Sequence, residues 1–337
     1  MERRFLSLLR ITLIFIYLVI LAGSIVRMSG SGMGCPDWPK CFDCWVPPTD
    51  ESQLPDNYKE IHSKKRAEKI ESFARLLDRL GMDETADKLR NDKTLLQEEN
   101  FNATKTWTEY INRLVGFITG NLVLLMVIFS LFRLRTQRSW FYLSLTNLII
   151  ISITAWFGAI VVATRLTPWV ITVHMMLAVL LVLVQIYLLT RVSRPRYREN
   201  VPMGFRFLVL VALLLGFAQV YLGTQVRQEI DIAAFELGEQ NRGSWMQETG
   251  NTFIVHRSFS ILLLLLTAFL AWRNHLKHYG LSLLNMIFVL MVAEAIVGII
   301  MAYAGMPKFA QPFHLFIGLV MLGLQYYVWL RSQTARL

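Results

Sequence analysis

Residues 107–132 read WTEYINRLVGFITGNLVLLMVIFSLF. Glu109, Asn112 and Arg113 stand at the start of an apolar run that continues to residue 132. A helix of about 20 such residues crosses the hydrocarbon core of a bilayer. Polar and ionisable groups at that depth are costly, so they mark positions that a function needs. The segment therefore predicts a membrane-spanning helix with functional side chains at its N-terminal end.

Runs of this kind recur along the whole chain, which has 337 residues, 54% of them hydrophobic and 17% charged. Soluble domains seldom combine so much apolar sequence with so little charge. The runs are continuous rather than alternating, which excludes a membrane β-barrel, and the first lacks the cleavage pattern of a signal peptide. We predict eight membrane-spanning helices, at about residues 11–27, 110–132, 140–163, 169–190, 205–223, 252–272, 281–303 and 311–330.

The basic residues predict the orientation of these helices, because Lys and Arg concentrate in cytoplasmic loops. With eight spans they fall on one side, so both termini are predicted to be cytoplasmic, in a bacterial inner membrane. We interpret the net charge of +10 as this signal and not as a nucleic-acid-binding surface. An interfacial tryptophan belt is predicted at the helix ends. The loop and terminal residues are Arg3, Arg4, Arg10, Arg133, Arg135, Arg138, Arg191, Arg194, Arg196, Arg198, Arg273, Lys277, Arg331 and Arg336, and the belt is Trp107, Trp140, Trp169, Trp245, Trp272 and Trp329.

The chain also repeats itself. Short motifs in predicted helices 1–4 recur, in the same order, in helices 5–8. The matches are Gly23–Arg27 with Gly223–Arg227, Ile111–Arg113 with Val255–Arg257, and Gly158 and His174 with Gly298 and His314, which lie sixteen positions apart in both halves. We predict an all-α integral membrane fold of two repeated four-helix bundles that share one orientation, as in parallel repeats.

This reading divides the chain into four segments. Residues 1–49 hold helix 1 and an outer cysteine loop, 50–105 form an insertion, 106–198 complete the first half and 199–337 form the second. The insertion has helical apolar spacing at Ile70, Phe73, Ala74, Leu77 and Leu80, with Gly81 as a C-cap and Asp83 opening a second helix. We interpret it as a solvated helical hairpin without a function of its own; a partner-binding module is the alternative.

Three of the six histidines lie inside predicted spans. His256 and His314 stand at the same depth on helices 6 and 8 of one bundle, and two facing imidazoles across a bundle core are what axial ligation of a haem iron requires. Another metal ion would need further ligands. The alternative for any single imidazole is a hydrogen bond to a neighbouring helix. The third such residue is His174, while His62, His275 and His278 are predicted to be solvated.

The first half matches the second except at one ligand position, where Asn112 stands in place of a histidine. A haem held there by His174 would have an open face. Glu109 lies three residues before Asn112, on the same helical face, and could donate or accept a proton. The alternative is that Glu109 lies in the membrane interface and pairs with Arg113 or with a cation of the outer loop. Another intramembrane carboxylate, Glu294, could bond a haem edge or relay protons.

Two further sets of residues are candidates. Three arginines lie at the predicted outer rim, namely Arg27, Arg227 and Arg257. They could pair with haem propionates or extend to the lipid headgroups. Cys35 and Cys41 flank a Pro-rich turn on the outer, oxidising side, where disulfides persist. We favour a Cys35–Cys41 disulfide, with Cys41–Cys44 as a competing pair and a zinc site as a weaker possibility.

These features together resemble the haem A synthases, integral membrane enzymes that convert haem O to haem A for cytochrome oxidase. The resemblance rests on the two four-helix halves, GSGMGC at 30–35 with the following cysteine, E-Y-x-x-R at 109–113, and His174, His256 and His314. It is expected to cover the chain apart from the insertion at 50–105.

The resemblance implies different roles for the two halves. The second half would hold haem b between His256 and His314, and the first would hold haem O as substrate, with Glu109 needed for turnover. The C8 methyl would be oxidised twice and the gem-diol would lose water to give a formyl group. Candidate partners are haem O synthase, cytochrome oxidase assembly factors and a second copy of the chain.

The chain departs from the family pattern in three places. Asn112 stands where members commonly have a histidine, residues 224–250 lack the second cysteine pair of some members, and the insertion is unusual. The main alternative function is a non-catalytic b-type cytochrome in quinol-linked electron transfer. A transporter is disfavoured by the scarcity of Gly and Pro breaks at mid-membrane, and a purely structural oxidase subunit would need no matched histidines.

Overall fold

The eight predicted spans are confirmed as long apolar helices in the computed structural model, which describes residues 2–37, 40–96, 100–164, 168–193 and 201–333. The predicted boundary between residues 198 and 199 lies outside these ranges, as do Arg194, Arg196, Arg198 and Arg336. Most of the described residues are helical, and none of them lies in a β-strand. The helices are α1 (Glu2–Met28), α2 (Tyr58–Arg79), α3 (Asp83–Asn91), α4 (Ala103–Leu131), α5 (Arg138–Ala163), α6 (Pro168–Ser193), α7 (Met203–Leu237), α8 (Asn251–Lys277), α9 (Leu283–Tyr303) and α10 (Ala310–Ser332).

The chain forms two compact units. The first contains residues 1–17, 122–148 and 179–337 in their described parts, and the second contains residues 18–121 and 149–178. Within the first unit, α7 to α10 form a four-helix bundle in which each helix contacts the next and α10 contacts α7. Its core contains buried side chains such as Phe205, Leu263, Ile287 and Met321. The second half is therefore a complete bundle within one unit.

Helix α7 is longer than the apolar run that predicts it, because it continues past residue 223 to Leu237. Val226 and Ile230 in this extension are buried in a small apolar cluster with Trp245 and Met306. An Arg227–Asp231 pair at 2.8 Å spans one helical turn. Burial of one face thus extends the helix through a polar sequence.

Two of the six predicted belt tryptophans lie in the protein core instead of at its surface. Trp140 is 5% exposed and stacks on Phe5 at 5.3 Å between ring centroids. Trp245 is 2% exposed, and its indole N–H donates to the carbonyl of Gly238. A position at a helix end does not distinguish an interfacial ring from a buried one. Trp272, by contrast, is exposed.

The insertion is the predicted helical hairpin, formed by α2 and α3 in the second unit. Gly81 adopts a φ of 74° between the two helices, and the amide of Met82 donates to the carbonyl of Leu77. The hairpin does not merely rest in solvent. Ile70, Phe73 and Leu77 are buried against α5 and α6 residues that include Ile160 and Val170. Leu80, predicted to share this apolar face, is exposed because it caps the end of α2.

One predicted surface histidine is buried. His62 on α2 is 4% exposed and meets the ring of Phe42 edge-on at 5.4 Å between centroids. Burial lowers its pKa below the ordinary value, so the ring stays neutral at physiological pH. His275 and His278 are exposed as predicted.

Phe73 provides a test of how firmly the hairpin is attached. Its ring lies 6.3 Å from Trp169 and 6.4 Å from Trp156, between centroids. Removing a buried aromatic ring costs about 3–5 kcal/mol, so Phe73→Ala should lower the thermal unfolding temperature in detergent and hasten proteolysis within 50–105. Leu80→Ala, at an exposed apolar site on the same hairpin, is the matched control. Equal effects of the two changes would contradict this packing.

Candidate functional site

The second half brings two predicted ligands face to face. His256 on α8 and His314 on α10 have ring centroids 6.5 Å apart and ring planes inclined by 75°. With imidazole–metal bonds of about 2 Å, two rings on opposite faces of one iron have centroids about 6 Å apart. Ring planes that share the ligand axis can take any mutual angle, so the inclination is compatible as well. The spacing therefore fits axial ligation of a haem.

Each of these rings packs against a glycine on a neighbouring helix. A Cβ at Gly223 on α7 would lie 3.3 Å from Cε1 of His256, and a Cβ at Gly298 on α9 would lie 3.3 Å from Cε1 of His314. Each imidazole is thus packed directly on a helix backbone. A larger residue at either glycine would displace the ring.

The first half of the sequence has the same arrangement at the matching positions. All four residues of this arrangement belong to the second compact unit. A Cβ at Gly158 on α5 would lie 3.3 Å from Cε1 of His174, and a Cβ at Gly23 on α1 would lie 3.7 Å from Oδ1 of Asn112. The sequence repeat is therefore also a repeat of side-chain environments. Asn112 occupies the place that the second half gives to His256.

Several polar atoms at these positions have no hydrogen bond within the described part of the chain. They are Nδ1 of His174, His256 and His314, and Oδ1 of Asn112, all of them buried. Buried polar atoms are normally paired, and an imidazole that binds a metal through Nε2 carries its proton on Nδ1. The described ranges also contain no cluster of three or more His, Cys, Asp or Glu residues that could hold a metal ion. This donor set suits a haem better than a bare ion.

Gln219 is a site residue that the sequence did not single out. Its side-chain amide donates to the backbone carbonyl of His256 at 3.0 Å, and the same nitrogen lies 3.4 Å from Nε2 of that ring. Gln219 stands one turn before Gly223 on α7. A polar residue in an otherwise apolar turn beside a repeated glycine was the available signal.

Glu109 is 2% exposed and has partners for both carboxylate oxygens. Arg113, one turn later on α4, pairs with Oε1. The backbone N–H of Cys35 donates to Oε2 at 2.8 Å. The pairing of Glu109 with Arg113, which the sequence offered as an alternative, is therefore present, and it places a buried carboxylate next to a fixed cation.

The cysteine loop is tied to this ion pair. Cys35 and Cys41 form the favoured disulfide, which is thereby confirmed, and Cys44 is an exposed free thiol. The Arg113 guanidinium donates to the backbone carbonyls of Cys35 and Asp37. Cys41 and Cys44 exchange two backbone hydrogen bonds of 2.9 and 3.1 Å instead of a disulfide. The loop, the disulfide and the Glu109–Arg113 pair thus form one connected group.

The candidate propionate-binding arginines have protein contacts. Arg227 donates to the side chain of Gln311 as well as pairing with Asp231. The Arg257 guanidinium lies 5.8 Å from the ring centroid of Phe253, and Arg27 is half-buried in the last turn of α1. Binding of propionates by these three residues stays a prediction.

Residues 7–79 and 84–326 match the family model described as "Cytochrome oxidase assembly protein", COX15-CtaA. The chain belongs to this family. The match contains every candidate ligand named above. It also includes most of the insertion, which the resemblance was expected to omit.

The chain is also similar to a named bacterial protein. The "Heme A synthase" of Shewanella oneidensis is 27% identical to this chain over 241 residues. The aligned region covers 71% of this chain and 62% of that relative, so the chain matches less than two thirds of the relative's length. Family membership favours a role in oxidase assembly over the quinol-linked cytochrome.

Proposed function

We propose that this protein is a haem A synthase, which oxidises the C8 methyl of haem O to a formyl group for cytochrome oxidase biogenesis. One observation supports the proposal above all. Both halves pack their candidate ligands against glycines of neighbouring helices, but only the second half has two imidazoles that face each other. The other presents His174 and Asn112 in the same unit as the buried Glu109. The name of the Shewanella relative supports the same activity.

In this proposal the second half holds haem b between His256 and His314. The haem, when bound, supplies one-electron transfer. Its ligands come from separate helices, α8 and α10, which form part of one bundle. The bundle therefore sets the spacing of the two rings. Arg227 and Arg257 are the proposed partners of the propionates at the rim.

The first half is proposed to bind haem O as its substrate. His174 supplies one axial ligand, and the amide of Asn112, which binds iron poorly, leaves the opposite face open. Glu109 is the group proposed to hold or move a proton near the reacting methyl. Arg113 orients that carboxylate through their ion pair, and Arg27 is the candidate propionate partner of this half.

The membrane location, the orientation and the partners of the protein are also proposed. Exposed apolar side chains along the spans, such as Phe117, Leu265 and Val289, are suited to lipid contact. Arginines in the short loops support a bacterial inner membrane with both termini in the cytoplasm. Haem O synthase, oxidase assembly factors and a second copy of this chain are the candidate protein partners; nucleic acid is not among them.

Expression with a source of haem O tests the activity directly. We expect haem A or its hydroxylated precursor in extracts analysed by chromatography with mass detection, and neither in cells that carry the empty vector. Purified, substrate-loaded protein should show one low-spin haem and one high-spin haem that binds added cyanide. Haem b alone beside untouched haem O would favour the cytochrome, and two low-spin haems would contradict an open face at Asn112.

A further inference from the structure

Glu294 is an acidic residue whose place in α9 needs an explanation. It is the sole acidic residue among the 21 of that helix, and its side chain is only 15% exposed. Oε1 lies 3.2 Å from Nδ1 of His314. Oε2 is buried without a hydrogen bond in the described part of the chain. A carboxylate inside a membrane protein is costly, so its retention indicates a function.

The repeat shows that this carboxylate is specific to one half. Glu294 stands four residues before Gly298, the glycine that packs on His314. Thr154 stands four residues before Gly158 in the first half, and its hydroxyl donates to the carbonyl of Ile150 on its own helix at 2.7 Å. Only the half with two facing imidazoles therefore has a carboxylate at this position.

The opposite helix leaves room for the carboxylate. Gly318 lies one turn after His314 on α10, and a Cβ there would be 3.0 Å from Oε1 of Glu294. That distance is shorter than an ordinary carbon–oxygen contact, so a larger residue would push the carboxylate away. The matching residue one turn after His174 is Ala178. The space and the carboxylate thus occur together, in the same half.

The chemistry of a ligating imidazole gives this carboxylate a role. When Nε2 of a neutral imidazole binds a metal, the ring proton resides on Nδ1. A carboxylate that accepts this proton fixes the ring orientation and makes the ring a stronger donor. The Nδ1 of His314 is at hydrogen-bond distance from Glu294 but is not aligned with it in this structure.

We propose that Glu294 is a positioning residue that accepts the Nδ1 proton of His314 and lowers the reduction potential of the haem bound in the second half. The proposal rests on the placement of haem b between His256 and His314. An imidazole that donates its Nδ1 proton to an acceptor is a stronger donor to iron and stabilises the oxidised state. The matching Thr154 cannot have this effect.

The test is a redox titration of the low-spin haem in purified, haem-loaded protein. Glu294→Leu keeps most of the volume of the side chain but removes the hydrogen-bond acceptor. We expect the low-spin haem to be retained and, at a fixed potential, the ratio of reduced to oxidised haem to rise at least tenfold, which is 59 mV for one electron. The low-spin electron paramagnetic resonance signal should also shift. Thr154→Val is the matched control and should leave both readouts unchanged.

A second variant covers the case in which Glu294→Leu loses its haem. Gly318→Ala keeps the carboxyl group but crowds it, so the potential should move in the same direction by a smaller amount. An unchanged potential in a haem-loaded Glu294→Leu variant, or in Gly318→Ala if the first variant loses its haem, would overturn the role of Glu294. Absence of any low-spin haem from the unmodified protein would instead overturn the proposed cofactor site.

Discussion

Glu109→Gln should abolish the conversion of haem O while the second half keeps its low-spin haem. Glutamine can still accept the hydrogen bond from the Cys35 amide, but it cannot take up or release a proton near neutral pH. General acid–base catalysis contributes about 10²–10⁴-fold to a rate, so product relative to haem b should fall at least 100-fold. The measurement is the haem extraction and mass detection described above.

The controls for this variant must separate chemistry from stability. Loss of one partner from a buried ion pair can cost about 3–5 kcal/mol, and Glu109 has Arg113 as its partner. The double variant Glu109→Gln/Arg113→Met removes the uncompensated charge and should recover part of the thermal stability without recovering activity. Recovery is partial because the double variant also loses the hydrogen bonds of Arg113 to the carbonyls of Cys35 and Asp37. Glu84→Gln, at a carboxylate whose side chain is 85% exposed, is the surface control. If Glu109→Gln converted haem O as well as the unmodified protein does, the role of Glu109 would be limited to holding the cysteine loop.

His256→Ala should remove the low-spin haem of the second half. An alanine offers no ligand, and the haem would be left with His314 alone. We expect at least a tenfold loss of low-spin haem per protein, measured by the pyridine haemochrome assay and by the low-spin absorption bands. A full low-spin spectrum in this variant would show that His256 is not a ligand.

Gly223→Leu tests the same site without removing a ligand. A side chain at this glycine would meet Cε1 of His256, since even its Cβ would lie at 3.3 Å. The imidazole should be displaced, and the loss of low-spin haem should approach that of His256→Ala. Gly204→Leu, on the same helix at a position where a Cβ would meet nothing within 4 Å, is the matched control. Equal haem content in Gly223→Leu and Gly204→Leu would contradict packing of the ring on the α7 backbone.

Much of the fold could be predicted because it depends on local properties of the chain. The length and continuity of apolar runs determine which segments can span a bilayer, and all eight spans are present as helices. The sequence repeat alone assigns His256 and His314 to one bundle. Gly81 and Asp83 similarly indicated the turn between α2 and α3, since capping chemistry is local.

The partners of individual side chains could not be predicted in the same way. Helices that are apolar on all sides do not show which face meets a neighbour, so the contact of Glu294 with His314 is absent from any single-helix pattern. The Cys35 amide reaches Glu109 across 74 residues of sequence. His62 and Trp245 are buried by elements distant in sequence, although composition places both in polar segments.

The sequence by itself determined the number of spans, the repeat and the four matched positions of His174, Asn112, His256 and His314, because these follow from periodicity and spacing along one chain. Only the tertiary structure decided that each of these side chains packs on a glycine, that Glu109 is held by Arg113 and the cysteine loop, and that Glu294 faces His314. The physical reason is that such contacts depend on how each helix is rotated against its neighbours. That rotation is set by the packing of whole helices and not by the local order of residues.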